Sequence, residues 1–143
     1  AILFGGQQQA GGVHLAREVS MTRGLILFAH GARDPRWAEP FEAIAAAVRA
    51  RSADVDVRLA FLELMAPDLP AAADAMVRDG ITRIDILPLF LGTGGHLRRD
   101  LPPLVEDIQA RHASVRIALH AAAGEAPVMI AAMAEHALSL TTT

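Results

Sequence analysis

From Gly24 onward, apolar positions fall alternately into short continuous runs and into stripes at helical spacing, which predicts strands and helices in turn. Residues 25–29 form a short apolar run and read as a buried strand, followed by a loop, HGARDP, at residues 30–35. Phe41, Ile44, Ala45 and Val48 mark one face of a helix with Pro40 in its first turn. Residues 55–64 predict a second strand, after which Asp68 caps a helix whose apolar face is Leu69, Ala72, Ala73 and Met76, and Gly80 ends it. Residues 84–91 are nearly continuously apolar, as in a strand covered on both faces of a parallel sheet. Gly92, Gly94 and Gly95 then break the strand, allowing backbone angles closed to other residues and leaving room for close approach. A third helix is expected with Asp100 as its N-cap, Pro102 and Pro103 in its first turn, and Leu101, Leu104, Val105 and Ile108 facing inward. Residues 115–119 predict a fourth strand, leading through Gly124 into a helix near Pro127.

Four strand–helix units in succession are the signature of an α/β fold: a small open parallel sheet of four strands with helices on both faces. Right-handed crossovers make 2-1-3-4 a natural strand order. The first and third strands are then neighbours whose connections leave in opposite directions, so a crevice opens at their carboxyl ends, where open α/β sheets bind ligands. His30 follows the first strand, His96 follows the third, and Glu63 stands near the end of the second. Two imidazoles and a carboxylate suit a divalent metal with coordination positions left for a substrate. Arg33, Arg36, Arg98 and Arg99 flank the same loops, where bidentate pairing can hold carboxylates.

Each residue also has an ordinary reading. A lone loop histidine is more often a surface hydrogen-bonding residue than a ligand, Glu63 can be a solvated strand end, and the arginines can be plain surface charge. The glycine loop departs from G-x-G-x-x-G because Leu97 holds the last position, so a dinucleotide site is weakly supported. His112, His120 and His136 read as surface or core-edge residues, although His120 ends the fourth strand on the proposed edge. A metal carrier without catalysis, or a phosphate- or nucleotide-binding module built on the glycine loop, are the competing classes.

The chain has 143 residues, 52% of them hydrophobic, which fits one domain, placed at residues 21–143. Residues 1–20, rich in glycine and glutamine, read as a flexible N-terminal extension outside the fold. The net charge of −3, with both signs interspersed, gives no nucleic-acid surface. There is no cysteine, which excludes disulfides, thiolate catalysis and iron–sulfur ligation, and all 13 basic residues are arginine, which excludes Schiff-base and P-loop lysine chemistry. No apolar run approaches the roughly 18 residues that cross a bilayer, so no membrane partner is expected and the cytoplasm is the expected location.

The stretch LILFAHGARDPRWAEPFE at residues 25–42 resembles the opening motif of the sirohydrochlorin cobaltochelatase family. FLE at residues 61–63 and LPLFLGTGGHLRRDLP at residues 87–102 resemble that family's second and third signatures, in order and at similar spacing. The likeness runs over residues 22–138, the length of the small single-domain form of these class II chelatases. The resemblance implies a chelatase-like half-domain that pairs with a second copy, as a homodimer, to complete its site. It also implies that His30 and His96 are the metal-site histidines, and that the activity is that of a lyase inserting a divalent metal into sirohydrochlorin. Cobalt, for cobalamin synthesis, is the expected metal, with nickel or iron as alternatives; the metal is a substrate, and no organic cofactor is implied. The chemistry agrees with the residue types, because a tetrapyrrole must lose two N–H protons while accepting a metal, which calls for a base beside a loosely held ion. His30, His96 and Glu63 are the expected catalytic groups, and Arg33, Arg36, Gly94, Gly95, Arg98 and Arg99 the expected contacts to the carboxylate-rich ring.

Overall fold

A computed structural model describes residues 22–142, so the expected extension at residues 1–20 lies outside the described residues. In chain order the elements are β1 (Arg23–Ala29), a 3-10 turn (Pro35–Ala38), α1 (Glu39–Arg51), β2 (Val55–Phe61), α2 (Leu69–Arg78) and β3 (Arg83–Pro88). They continue with α3 (Gly95–Arg111), β4 (Arg116–Leu119), a second 3-10 turn (Ala123–Glu125) and α4 (Pro127–Ser139). The four strands form one parallel sheet in the order β2-β1-β3-β4, as the crossover argument requires. Leu25 stands opposite Val57 on one side and Asp85 on the other, and Ile26 opposite Arg58 and Ile86.

Alternation along each strand divides the core between the two faces. Ile26, Phe28, Ala60, Ile84 and Ile86 meet Leu69, Ala72, Ala73 and Met76 of α2 and Leu101, Val105 and Ile108 of α3. On the other face Leu27 and Val57 pack with Ala45 of α1, joined by the half-buried Leu25, Leu59, Leu87 and Leu89. Each large side chain taken fully out of water contributes about 1.5–3 kcal/mol. Of the largest fully buried side chains, only Leu27 is on the α1 face, so the α2–α3 side holds most of this stabilisation.

Local signals explain several boundaries. Asp68 caps α2, its side chain accepting from the Ala71 N–H at 2.9 Å, and Gly80 takes a φ of 91° just past that helix. Other expectations need correction. Strand β2 stops at Phe61 rather than 64: Leu62 N–H makes the last bond to β1, to the Ala29 carbonyl at 2.8 Å, and the chain then turns, with Met65 N–H bonded to the Glu63 carbonyl and Leu64 at a φ of 65°. Strand β3 stops at Pro88 rather than 91, although Phe90 stays buried, because apolarity reports burial rather than extended pairing. Nor is β3 covered on both faces: Ile84 and Ile86 are buried while Asp85 and Leu87 are half-exposed.

Helix α3 begins at Gly95 with Gly94 as N-cap, well before Asp100, which places Pro102 and Pro103 inside it. Leu97, one helical turn before Leu101, packs against the main core and extends the apolar stripe into this added segment. The consequence for the site is direct, because His96 belongs to the first turn of a helix rather than to a loop. Among the described residues, no helix is long and apolar enough to cross a membrane.

Candidate metal site at the carboxyl edge of the sheet

His30 follows the last residue of β1, and two contacts hold its position. Its carbonyl accepts from Trp37 Nε1 at 2.7 Å, and its ring lies 4.6 Å from the ring of Phe90 at an interplanar angle of 36°. Phe90 is itself 5% exposed and 5.9 Å from the Phe28 ring, so the imidazole rests on a core-anchored support. Nδ1 of His30 lies 3.4 Å from Oε1 of Glu63, the two side chains being 46% and 44% exposed. This is a long, water-accessible contact, suited to a group that changes partners rather than to a structural bond.

Glu63 reaches this place through main-chain packing. Leu62 N–H is bonded to Ala29, Met65 N–H returns to the Glu63 carbonyl at 2.8 Å, and a Cβ on Gly31 would overlap that carbonyl. The absence of a side chain at 31 therefore lets the loop after β1 lie against the turn after β2, and that crossing sets His30 beside Glu63. Neither Gly31 nor Phe90 was identified from the sequence. The signal for Gly31 was a glycine directly after the strand-end histidine; for Phe90 it was an aromatic residue closing an apolar run.

His96 shares the carboxyl edge, as the parallel order of β1 and β3 demands, but does not join the pair. It is exposed and makes no side-chain hydrogen bond or ion pair within the described residues, and among these no three histidine, cysteine or carboxylate side chains form a metal-holding group. Of the two uses expected of the glycines before it, the special backbone angles are not taken up, whereas the room for close approach is present. Among the described residues the only glycine in the left-handed region is Gly80, and Gly94 has an ordinary extended backbone (φ −67°, ψ 167°). A Cβ at Gly92 or Gly94 would meet nothing within 4 Å, so what these glycines supply is open space over the first turn of α3.

The arginines divide into engaged and free. Arg36 closes on Asp34 through contacts of 2.8–3.2 Å, which hold the Asp34 carboxyl below its usual range and push the Arg36 guanidinium up. Arg98 donates to the Thr93 carbonyl at 3.1 Å and lies 3.8 Å from Glu125; Arg99 makes one long bond, 3.4 Å, to the Gly95 carbonyl. Arg33 has no partner among the described residues. His120 pairs with Asp85 at 2.8 Å across β3 and β4, and the half-buried His112 ties α3 to Asp74 of α2 at 2.6 Å. A cavity of about 550 Å³ lies between α1 and β2, lined by Glu42, Arg49, Arg58 and Phe61 among others; it includes none of His30, Glu63 or His96.

The profile of the CbiX family matches residues 24–140, from the start of β1 to the end of α4. The chain belongs to the CbiX family. It is 33% identical over 88 residues to the sirohydrochlorin cobaltochelatase of Methanocaldococcus jannaschii, covering 62% of each chain. It is 30% identical over 105 residues to the sirohydrochlorin ferrochelatase of Priestia megaterium, covering 72% of this chain and 39% of that one. Both matches span less than two thirds of the relative's length. The crystal structure of the CbiX protein from Marinobacter aquaeolei VT8 superposes with a TM-score of 0.72 at 31% identity, covering 82% of this chain and 96% of that one. The sirohydrochlorin chelatase SirB from Bacillus subtilis subspecies spizizenii, in complex with cobalt, gives 0.70 at 24% identity over 84% of this chain and 51% of that one, a likeness of fold. The His30–Glu63 edge and the first turn of α3 both lie inside the CbiX match.

Proposed function

We propose that this CbiX-family domain inserts a divalent metal, cobalt in the first instance, into sirohydrochlorin. The observation that carries the reading is the His30–Glu63 contact at the carboxyl edge, with Phe90 beneath the imidazole. If His30 donates Nδ1–H to Glu63, Nε2 keeps its lone pair, and that nitrogen holds the incoming ion or takes a pyrrole proton. The carboxylate stabilises the imidazolium formed when it does. His96 supplies the second imidazole from the first turn of α3, and the two side chains converge on the metal when the ring is bound. The exposed space at Gly94 and Gly95 admits the ring edge. The free N–H groups of that helix turn, together with Arg33 and Arg99, meet its carboxylates, and Arg36 and Arg98 exchange Asp34 and Glu125 for them. One sheet edge is half of a cleft for so broad a ligand, so the working unit is a homodimer.

Both relatives' names specify the ring, while their metals differ at similar identity, so iron is the competing metal. The test is anaerobic mixing of the chain with sirohydrochlorin and then cobalt, ferrous or nickel ion, following the ring's absorption. Conversion with cobalt at a rate well above the uncatalysed one supports the proposal. Faster conversion with iron or nickel reassigns the metal, and metal binding without affinity for the ring makes the domain a carrier.

A further inference from the structure

Ahead of α4, the large apolar side chains left exposed among the described residues are Trp37, Ile44, Leu64 and Leu91. Ile44 lies within α1, but the other three stand on the connections that follow β1, β2 and β3. Each adjoins a residue of the candidate site: Trp37 donates its indole N–H to the His30 carbonyl at 2.7 Å, Leu64 follows Glu63, and Leu91 follows Phe90. None of the three belongs to the apolar clusters of the core. Single exposed apolar side chains are ordinary, whereas three gathered at the ligand-binding edge of an α/β sheet mark a contact surface.

The main chain holds these side chains outward. Leu64 takes a φ of 65°, a region that strains a bulky residue, and is 64% exposed there. The turn that imposes this angle is fixed by Leu62 N–H on the Ala29 carbonyl and Met65 N–H on the Glu63 carbonyl. Leu91, 75% exposed, is fixed by the turn before α4: Gly124 N–H bonds to the Phe90 carbonyl at 2.9 Å, and a Cβ at Gly124 would overlap the Leu91 main chain. Trp37 is held by its bond to His30 and by the Phe41 ring at 5.7 Å. Folding of this chain does not account for a leucine at 64, where glycine or asparagine would sit with less strain.

A tetrapyrrole offers two chemistries, carboxylates at its periphery and a broad, flat, apolar face. The arginines can meet only the first. The three apolar residues follow three adjacent strands, whose ends span about 10 Å at the spacing of a sheet, the scale of the macrocycle. We infer that Leu64, Leu91 and Trp37 form an apolar seat for the face of the ring, holding its pyrrole nitrogens over the His30 imidazole. The inference rests on the insertion reaction proposed above and adds to it the residues that position the ring.

Trp37 is the one tryptophan of the chain, so its emission reports on the seat directly. Sirohydrochlorin is titrated into the parent and into Leu64→Asn, Leu91→Gln, Leu91→Met and Ile44→Gln, following quenching of that emission, and cobalt insertion is then timed at varied ring concentration. The ring should quench the parent. Leu64→Asn and Leu91→Gln should each weaken ring binding and raise KM by about tenfold or more, the scale of burying a leucine, with kcat held within about threefold. Asparagine accepts the left-handed angle, so Leu64→Asn should melt no lower than the parent. Leu91→Met, still apolar, and Ile44→Gln, remote from the edge, should bind within about twofold of the parent. Unchanged ring binding in Leu64→Asn and Leu91→Gln, beside a parent that does bind the ring, would overturn the seat and leave the insertion reading standing. A parent without affinity for the ring would overturn both. A fall in kcat at unchanged KM would also overturn the seat, because it would give the leucines a part in chemistry or folding instead of in holding the ring.

Discussion

His30 and Glu63 are 33 positions apart and meet at 3.4 Å because β1 and β2 run parallel and end together, so that the residues following each strand face one another. The pair is exposed and loosely bonded, hence cheap to rearrange.

Alanine at His30 or at His96 is therefore expected to lower cobalt insertion by about a hundredfold or more, the scale of losing a positioned base or ligand. Glu63→Gln, which keeps shape and removes charge, should cost about 10- to 100-fold. Urea denaturation should place all three within about 1 kcal/mol of the parent, since none of these side chains is in the core. Folded histidine variants with parental rates would remove these residues from the reaction.

Phe90 serves both core and site, and two substitutions separate the roles. Phe90→Ala leaves a cavity beside Phe28 and is expected to cost about 3–5 kcal/mol. Phe90→Leu should cost less than about 1.5 kcal/mol yet remove the ring beneath His30, so that the insertion rate falls severalfold with little change in melting temperature. Equal retention of rate and stability in Phe90→Leu would show that the ring does not position the imidazole.

Gly31→Ala drives a methyl group into the Glu63 carbonyl, and because that obstacle is main chain the turn after β2 must move. A loss of about 1–3 kcal/mol is expected, with a fall in activity as Glu63 leaves His30. Gly92→Ala, whose added carbon meets nothing within 4 Å, should change stability by less than about 0.5 kcal/mol. Thermal melts of the two variants side by side decide whether the steric reading is right.

Asp74 gives a pH dependence remote from the site. The hydrogen bond from His112 holds its carboxyl below the usual range, with Arg111 adding to the effect and partial burial opposing it. A carboxyl whose pKa falls on folding stabilises the protein at pH above its unfolded value, about 4, and loses that contribution as pH drops through the lower folded value. The stability gap between the parent and Asp74→Asn should be present at neutral pH and close below about pH 4, with the metal-insertion rate unaffected. A gap of constant size from pH 7 to pH 3 would contradict the assignment.

Much of this arrangement is legible along the chain, because burial period and crossover handedness are local or generic. The alternation of short apolar runs with helical stripes, the Asp68 cap and the order β2-β1-β3-β4 all follow from them. They also suffice to place His30, Glu63 and His96 at one edge, since residues after parallel strands emerge on the same side.

What the sequence could not determine depends on segments far apart in the chain. The start of α3 turns on Leu97 finding the core, the use of Gly31 on a carbonyl from another strand's turn, and the local engagement of Arg36 and Arg98 on neighbours whose rotamers no pattern encodes. The apolar pattern of α4 establishes that this helix needs cover; only the tertiary structure shows that none of its residues is buried in the core of its own chain, because the anchored turn at Gly124 and the single intervening residue Ala126 decide where the helix can go.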